Sequence, residues 1–457
     1  MSTKNESIGY LPDERPPILE LIPFALQQII VMFPATVLVA LLTGFHVSTT
    51  IFASGLATLC FILITGRKIP LYYGSSFSYI AAIVSIMSAE AFSSYALNDK
   101  IAIAQFGIVM SGFVSIIAGI IIKRSGKATI DKILPPTVTG SISIIIGLSL
   151  AVSAMANAHS IPAGVVEGDV PFATNMAWVI AIITLLSTIL YSVYLKGKLS
   201  QLPILFGLFT GYIAAVIIGA ITGIPFINFN TLEANGIFSL PVFTLPKPNL
   251  AAIAAIMPIA IATIPESTAH IYQLDIYVKD LAKKKGSGKV YDLENKLGLN
   301  LIGDGIGDIV SGFIGGPAGT NYGENISAMA LSKIFSVPVL IAAAIITMII
   351  SCFTPLINIV YSIPTSVIGG LSIYLFGVIG AQGIAIMMEK KVDLFVAKNL
   401  AVIAIILIIG LGGSFGFKNG MIPMFGAEFP AIASAAVVGI VLNLLLSFGE
   451  KSRNADK

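Results

Sequence analysis

The sequence predicts an all-α polytopic membrane protein with fourteen transmembrane segments arranged as two inverted seven-span repeats. Three observations predict it. The 457-residue chain is 56% hydrophobic and 11% charged, with a mean hydropathy of +0.94. Its apolar residues collect in windows of about 20, the length that crosses a bilayer. Its basic residues are phased: with both termini cytoplasmic, all of the 26 Lys and Arg except Lys100, Lys247 and Lys418 fall in cytoplasmic segments. Dropping or adding one crossing upstream scrambles that split, so an even count with this phasing is favoured. The net charge of +3 then carries no sign of a nucleic-acid partner.

Uninterrupted windows begin near Ile18, Thr49, Ile101, Ile133, Asn175, Pro203, Leu250, Pro338, Pro364, Val396 and Ala431. Three more, at residues 70–90, 297–315 and 316–335, are broken by glycine and polar residues. Residues 1–17 form a polar tail without a cleavable signal pattern, so the first window is a true span and the protein stays in the membrane, expected to be the plasma (inner) membrane. The repeats occupy residues 18–223 and 250–448, joined by an extracellular linker at 224–249, with a cytoplasmic tail at 449–457. Crossing 5 opens with LPPTVTGS from Leu134 and crossing 12 with IPTSVIGG from Ile363. Crossing 3 carries YYGSSFSYI from Tyr72 and crossing 10 carries GTNYGENI from Gly319. Both pairs lie seven crossings apart, and a unit with an odd number of crossings inserts its second copy upside down.

The stretch GGPAGTNYGENISAMALSK, residues 315–333, concentrates the chemistry. In lipid every backbone amide and carbonyl needs an internal partner, so irregular backbone at membrane depth survives only where protein encloses it or where it lines a cavity. Tyr72, Tyr73, Thr320, Asn321 and Tyr322 favour extended chain or turns, and short apolar helices follow them. Each of crossings 3 and 10 is therefore expected to be half strand and half helix, with the helix N-terminus near the midplane and its free N–H groups facing a site. Glu324 opens the second half-helix, and Glu266 follows Pro265 in crossing 8. Acids here are costly and mark function. Two carboxylates beside two helix N-termini suit a neutral ligand offering both N–H donors and C=O acceptors, such as the edge of a pyrimidine or purine base.

His270, one turn after Glu266, is placed to hydrogen-bond that carboxylate or relay a proton. Phe77 and Tyr322 are expected to flank a flat ring. Asp304 and Asp308 share a helix face, leaving structural support and proton handling both open. Asp275, Asp280 and Glu389 lie near cytoplasmic ends and are expected to be solvated. Cys60 and Cys352 read as small core residues, implying neither disulfide nor metal. An intramembrane enzyme would need a nucleophile with its base or a metal set. The three histidines, His46, His159 and His270, form no such motif, so no cofactor is expected.

These residues resemble the nucleobase-ascorbate transporters, also called nucleobase cation symporter family 2, and within them the bacterial uracil permeases. QQIIVMFPATVLV in crossing 1, GSSFSYI in crossing 3, PESTAH in crossing 8, GDGI in crossing 9 and the residue 315–333 motif match in order and position. The resemblance implies core and gate domains, from crossings 1–4 with 8–11 and crossings 5–7 with 12–14. It implies substrate binding by Glu266, Glu324, His270, Phe77, Tyr322 and Gly323, with proton coupling through Glu324, Glu266 and His270. Asp304, Asn325 and Gln28 are carried as supporting positions. Two departures stand out: Ser327 replaces the glycine of the family signature Glu/Gln-Asn-x-Gly, and Gln28 stands where many members have histidine. Glu324, where members resembling xanthine permeases tend to carry Gln, argues for a pyrimidine. The expected protein is a proton-coupled importer of uracil or a close analogue. A xanthine or purine symporter and an anion carrier of the same fold are the alternatives. The implied partners are a nucleobase, the proton and membrane lipid, with a homodimer left open.

Overall fold

A computed structural model describes residues 9–125, 132–227, 236–424 and 427–455. Lys4, Lys127 and Lys457, counted above as cytoplasmic, and part of the expected linker lie outside the described residues. In chain order the elements are α1 (Ile18–Thr43), α2 (Val47–Ile64), β1 (Tyr73–Ser75), α3 (Ile80–Met87), α4 (Leu97–Ser125), α5 (Pro136–Ser149), α6 (Ala151–Ala158), α7 (Val170–Tyr194) and α8 (Pro203–Thr222). Then follow α9 (Leu250–Ile256), α10 (Ile259–Lys284), α11 (Leu297–Ile314), β2 (Gly319–Asn321), α12 (Gly323–Ser332), α13 (Val337–Ile350), α14 (Thr354–Tyr361), α15 (Thr365–Glu389), α16 (Ala397–Gly416), β3 (Met421–Met424), β4 (Ala427–Pro430) and α17 (Ala431–Ala455).

Among the described residues ten helical stretches are long and apolar enough to cross a membrane, and Phe77–Met87, Val337–Ile350 and Ala431–Ser447 are shorter apolar helices. With the half-helix α12 these make up the fourteen segments. They pack in two groups. The first joins α1–α4 to α9–α13: α11 lies on α4 and α2, and α13 on α2 and α1. The second joins α5–α8 to α15–α17: α15 lies on α5, α6 and α7, and α16 on α17 and α5. Between the groups, α10 touches α5 and α17, α12 touches the turn at residues 197–201, and one apolar cluster joins α1 and α2 to α6, α7 and α15.

Crossing 9 corrects the sequence reading. The glycines of residues 297–315 do not break it; Leu297–Ile314 is one uninterrupted helix. They serve close approach instead, since a Cβ on Gly305 would lie 2.3 Å from the Gly112 carbonyl oxygen of α4. The break falls in crossing 8, between α9 and α10 at Pro258. Asp275 is also corrected: it is buried, accepts from the Leu293 amide at 2.8 Å, and pairs with Lys279 at 2.6 Å. A carboxylate near a helix end can thus be spent on capping the next element. Cys60 and Cys352 are half-buried free thiols.

The N-terminal segment is docked from residue 9 on. Tyr10 bridges Ile334 in parallel, its amide donating to Lys333 O at 2.9 Å, and Lys285 reaches Glu14 at 2.6 Å. Two of the three basic residues that broke the charge phasing have acidic partners: Lys247 pairs with Asp99 at 2.5 Å and Lys418 with Glu90.

Crossings 3 and 10 hold the fold's polar centre. β1 and β2 pair antiparallel, Tyr73 with Asn321, Gly74 with Thr320 and Ser75 with Gly319, as inverted copies do. α11 fastens the pair: Asp308 accepts from the Tyr73 hydroxyl at 2.5 Å, the Gly319 amide at 2.8 Å and Ser111 at 3.4 Å. Replacing Asp308 by Ala strips a buried hydroxyl and a buried amide of their acceptor, about 1–3 kcal/mol for each orphan. Asp308→Ala is expected to lower the thermal unfolding midpoint of the detergent-solubilised protein well beyond Asp280→Ala, whose carboxylate is exposed.

Candidate functional site

The two broken segments start their helical turns at matching places. β1 begins at Tyr73 and its helical turn at Phe77; β2 begins at Gly319 and α12 at Gly323, the same interval in each. Phe77 and Gly323 are first helical residues, so their amides precede the first intrahelical bond. Ser76 caps the first turn through the Ser78 amide at 3.3 Å, which leaves Phe77 N–H uncapped, and Tyr322 makes no side-chain cap on α12. Ser78 and Glu324 hold the second position of their respective turns.

Glu324 stands on the first turn of α12, where its carboxylate accepts from its own backbone amide. It is solvent-accessible, on the open face of α12. Glu266 is half-buried on α10 and faces the Ser78 hydroxyl and Glu324. The sequence-predicted pair of acids is thus brought together between the two strand-linked half-helices. Accessible positions continue down one face of each helix, through Ala269, His270 and Gln273 on α10 and Ser327 and Leu331 on α12. Ser327, the departure from the glycine of the signature, lies on that open face and donates to Gly323 O at 3.1 Å, so no close packing is demanded of it. Phe77 is half-buried and packs against two apolar clusters, each of which draws residues from both helix groups.

Two expectations need correction. His270 does not bond the Glu266 carboxylate. Its ring meets the Asn321 backbone carbonyl, Nε2 would lie 2.8 Å from a Cβ on Gly323, and Nδ1 is buried with no hydrogen-bond partner among the described residues. The helical spacing that put it on the glutamate's face also put it within reach of β2, and the ring is turned to the strand-end carbonyl of Asn321. Tyr322 does not flank an open space with its ring. It is 3% exposed and lies against Gly74, where a Cβ would come within 2.3 Å of the ring. Its hydroxyl meets Thr36 and Ser75 O, each at 3.0 Å, and its amide is taken by Tyr72 O at 3.0 Å.

The supporting residues form a shell behind the acids. Asp304 is buried and accepts from Asn321 Nδ2 at 2.7 Å, from Asn300 Nδ2 at 3.4 Å and from the Ser267 hydroxyl. Ser267 follows Glu266, and Asn321 holds His270, so Asp304 fixes both ends of the site without facing the opening. Asn325 donates to Gln28 O and Gln28 Oε1, each at 2.9 Å, and ties α12 to α1. Sequence reasoning missed Ser267, Asn300, Thr36 and Ser78. Ser78 alone carried a signal, through its place in the repeated strand-helix break.

A family model described as Permease family (Xan_ur_permease) matches residues 19–419. The uracil permease of Escherichia coli (strain K12) is 35% identical over 433 residues, covering 94% of this chain and 92% of the relative. The uracil permease of Bacillus caldolyticus is 33% identical over 440 residues, covering 95% and 93%. The putative pyrimidine permease RutG of Escherichia coli (strain K12) is 33% identical over 451 residues, covering 98% and 94%. Among solved structures, the murine Slc26a9 anion transporter in the inward-facing state matches with a TM-score of 0.66 at 13% identity, covering 98% of this chain and 73% of that one. The transmembrane domain of the cyanobacterial bicarbonate transporter BicA matches at 0.56 and 13%, covering 93% and 97%. At such identity these two show a shared fold and nothing about the cargo. The sequence matches run through crossing 1, both broken crossings and the residues that brace them, and on that ground this chain belongs to the permease family, beside the bacterial uracil permeases.

Proposed function

We propose that this permease imports uracil or a closely related pyrimidine base together with protons, with both termini cytoplasmic in the plasma (inner) membrane. The observation that carries the reading is the pairing of Glu266 with Glu324 across two opposed helix starts. The uncapped amides of Phe77 and Gly323 offer donors to ring carbonyls, and the carboxylates offer acceptors to ring N–H groups, the alternation found along the edge of uracil. Phe77 covers the ring. Two acids facing the same space repel a bound anion, which argues against sulfate or bicarbonate despite the fold shared with anion carriers.

Protons enter because two carboxylates that share a cavity favour holding one proton between them. Binding a base that donates to one carboxylate and release of that proton on the cytoplasmic side would couple the two flows. The exposed line from Glu324 through Ser327 to Leu331 is the path by which the base leaves towards the Lys333 end. His270, held by Asn321, acts in this scheme by positioning Gly323.

Uptake into proteoliposomes tests the reading. Uracil entry is expected to accelerate when the outside is acidic, and identical rates with and without a pH gradient would remove proton coupling. Excess xanthine that suppresses uptake more than uracil itself would select a purine carrier; sulfate or bicarbonate competition without uracil competition would select an anion carrier. Glu266→Gln and Glu324→Gln keep shape but lose the charged acceptor. Each is expected to weaken apparent uracil affinity roughly 10- to 100-fold, the ~1.5–3 kcal/mol of a hydrogen bond to a charged group. Glu324→Gln is further expected to flatten the pH dependence of uptake, while Asn300→Ala, behind the site, lowers thermal stability first.

A further inference from the structure

Residues 236–245, read from the sequence as part of an extracellular linker, are extended and carry large apolar side chains turned outward: Leu240 is 82% exposed, Leu245 72%, Phe238 67% and Ile237 64%, with Val242 and Phe243 also exposed. So dense a run is not a water-facing composition. Its depth can be read from its partners. Thr244 exchanges hydrogen bonds with the Gln105 side chain, at 2.7 and 2.8 Å, and Thr49 donates to Val242 O at 2.7 Å. Gln105 lies five residues inward of Lys100 on α4, about 7 Å below that charge at the helical rise. The chain regains the charged level only at Lys247, whose amide bonds Ala102 O and whose ammonium pairs with Asp99.

The other end gives the same depth. Ser239 N donates to Cys352 O at 3.0 Å, Thr354 N donates to Ile237 O at 3.0 Å, and Phe238 packs on Phe353 at 5.7 Å. These partners follow α13, which has 14 residues and so covers about 21 Å of a hydrocarbon layer of about 30 Å. Starting near the docked N-terminal segment, α13 stops short of the opposite surface, and the linker lies against its end. Pro241, Pro246 and Pro248 bring no N–H that would need a partner in a poorly hydrated layer.

We propose that residues 236–245 are an interfacial belt, immersed at the headgroup–acyl boundary of the outer leaflet with lipid chains as its partner. Apolar side chains reach 5–10 Å into that boundary in surface-lying segments, the depth the Gln105 contact gives here. The partners named above belong to α2, α4 and the α13–α14 corner, on the helix group that carries Glu266 and Glu324. The belt therefore anchors that group to lipid, and any sliding of one group past the other draws the belt through the outer leaflet or leaves it fixed while the second group moves.

Trp178, the single tryptophan, stacks on His159 and is replaced by Phe to give a silent background. Phe238→Trp and Leu240→Trp are then introduced singly, reconstituted into liposomes, and quenched in turn by acyl-brominated phospholipid and by aqueous iodide. Ile349→Trp on the exposed face of α13 serves as the lipid reference and Val290→Trp, in the loop after α10, as the water reference. Both belt positions are expected to match the lipid reference under bromolipid and to resist iodide. Iodide quenching equal to Val290→Trp would overturn the belt. Protection from both quenchers would overturn it as well, since protein and not lipid would then cover the segment. Two independent positions keep the test decisive if one variant fails to fold.

Discussion

The structure depends on one constraint: two stretches of non-helical backbone sit at membrane depth, and each of their polar groups must be satisfied by protein. The β1–β2 ladder meets part of that demand by pairing the breaks with each other. α11 and α2 meet more of it: Asp308 holds Tyr73 and Gly319, Asp304 holds Asn321, and Thr58 and Ser54 of α2 hold the Tyr73 backbone amide and carbonyl. The sheet is only two strands wide, yet it determines where two helix starts point. Without it, Phe77 and Gly323 would have no reason to offer amides to the same space, and Glu324 would have no partner in Glu266.

The division of labour among acids follows from the same constraint. Asp304 and Asp308 are surrounded by donors and spend their acceptor capacity on the scaffold. Glu266 and Glu324 lie one layer out, where Glu324 accepts from its own amide and Glu266 meets Ser78. Four carboxylates in one region would be a heavy burden if all were idle. Two brace the frame, and in the proposed function the other two receive a ligand that arrives with its own donors.

Much of this was legible in the chain. Apolar windows and charge phasing gave the crossings, and the strings around Tyr72 and Gly319 marked breaks that proved to be paired strands. Those signals are local, set by period and punctuation within a few residues. What stayed hidden was every choice of partner across the fold. Asp308 meets Tyr73 over 235 residues of sequence, and nothing near either position announces it. Glycines in crossing 9 read as breaks because a close helix contact and a backbone break call for the same residue. His270 was assigned to the glutamate on its own helix, while a strand carbonyl from another crossing claimed it. Asp275 looked solvated because its partners, the amides of Leu293 and Glu294, arrive from beyond a loop.

The central claim is that Glu266 and Glu324 together grip an uncharged base, and ligand-induced stabilisation tests it most directly. Thermal unfolding of the purified permease is measured against rising uracil, for the native chain and for the Glu266→Gln, Glu324→Gln double variant. The account predicts a midpoint that climbs with uracil as RT ln(1 + [L]/Kd) in the native chain and stays flat in the double variant. Equal stabilisation of both proteins, or none of the native chain, would contradict it.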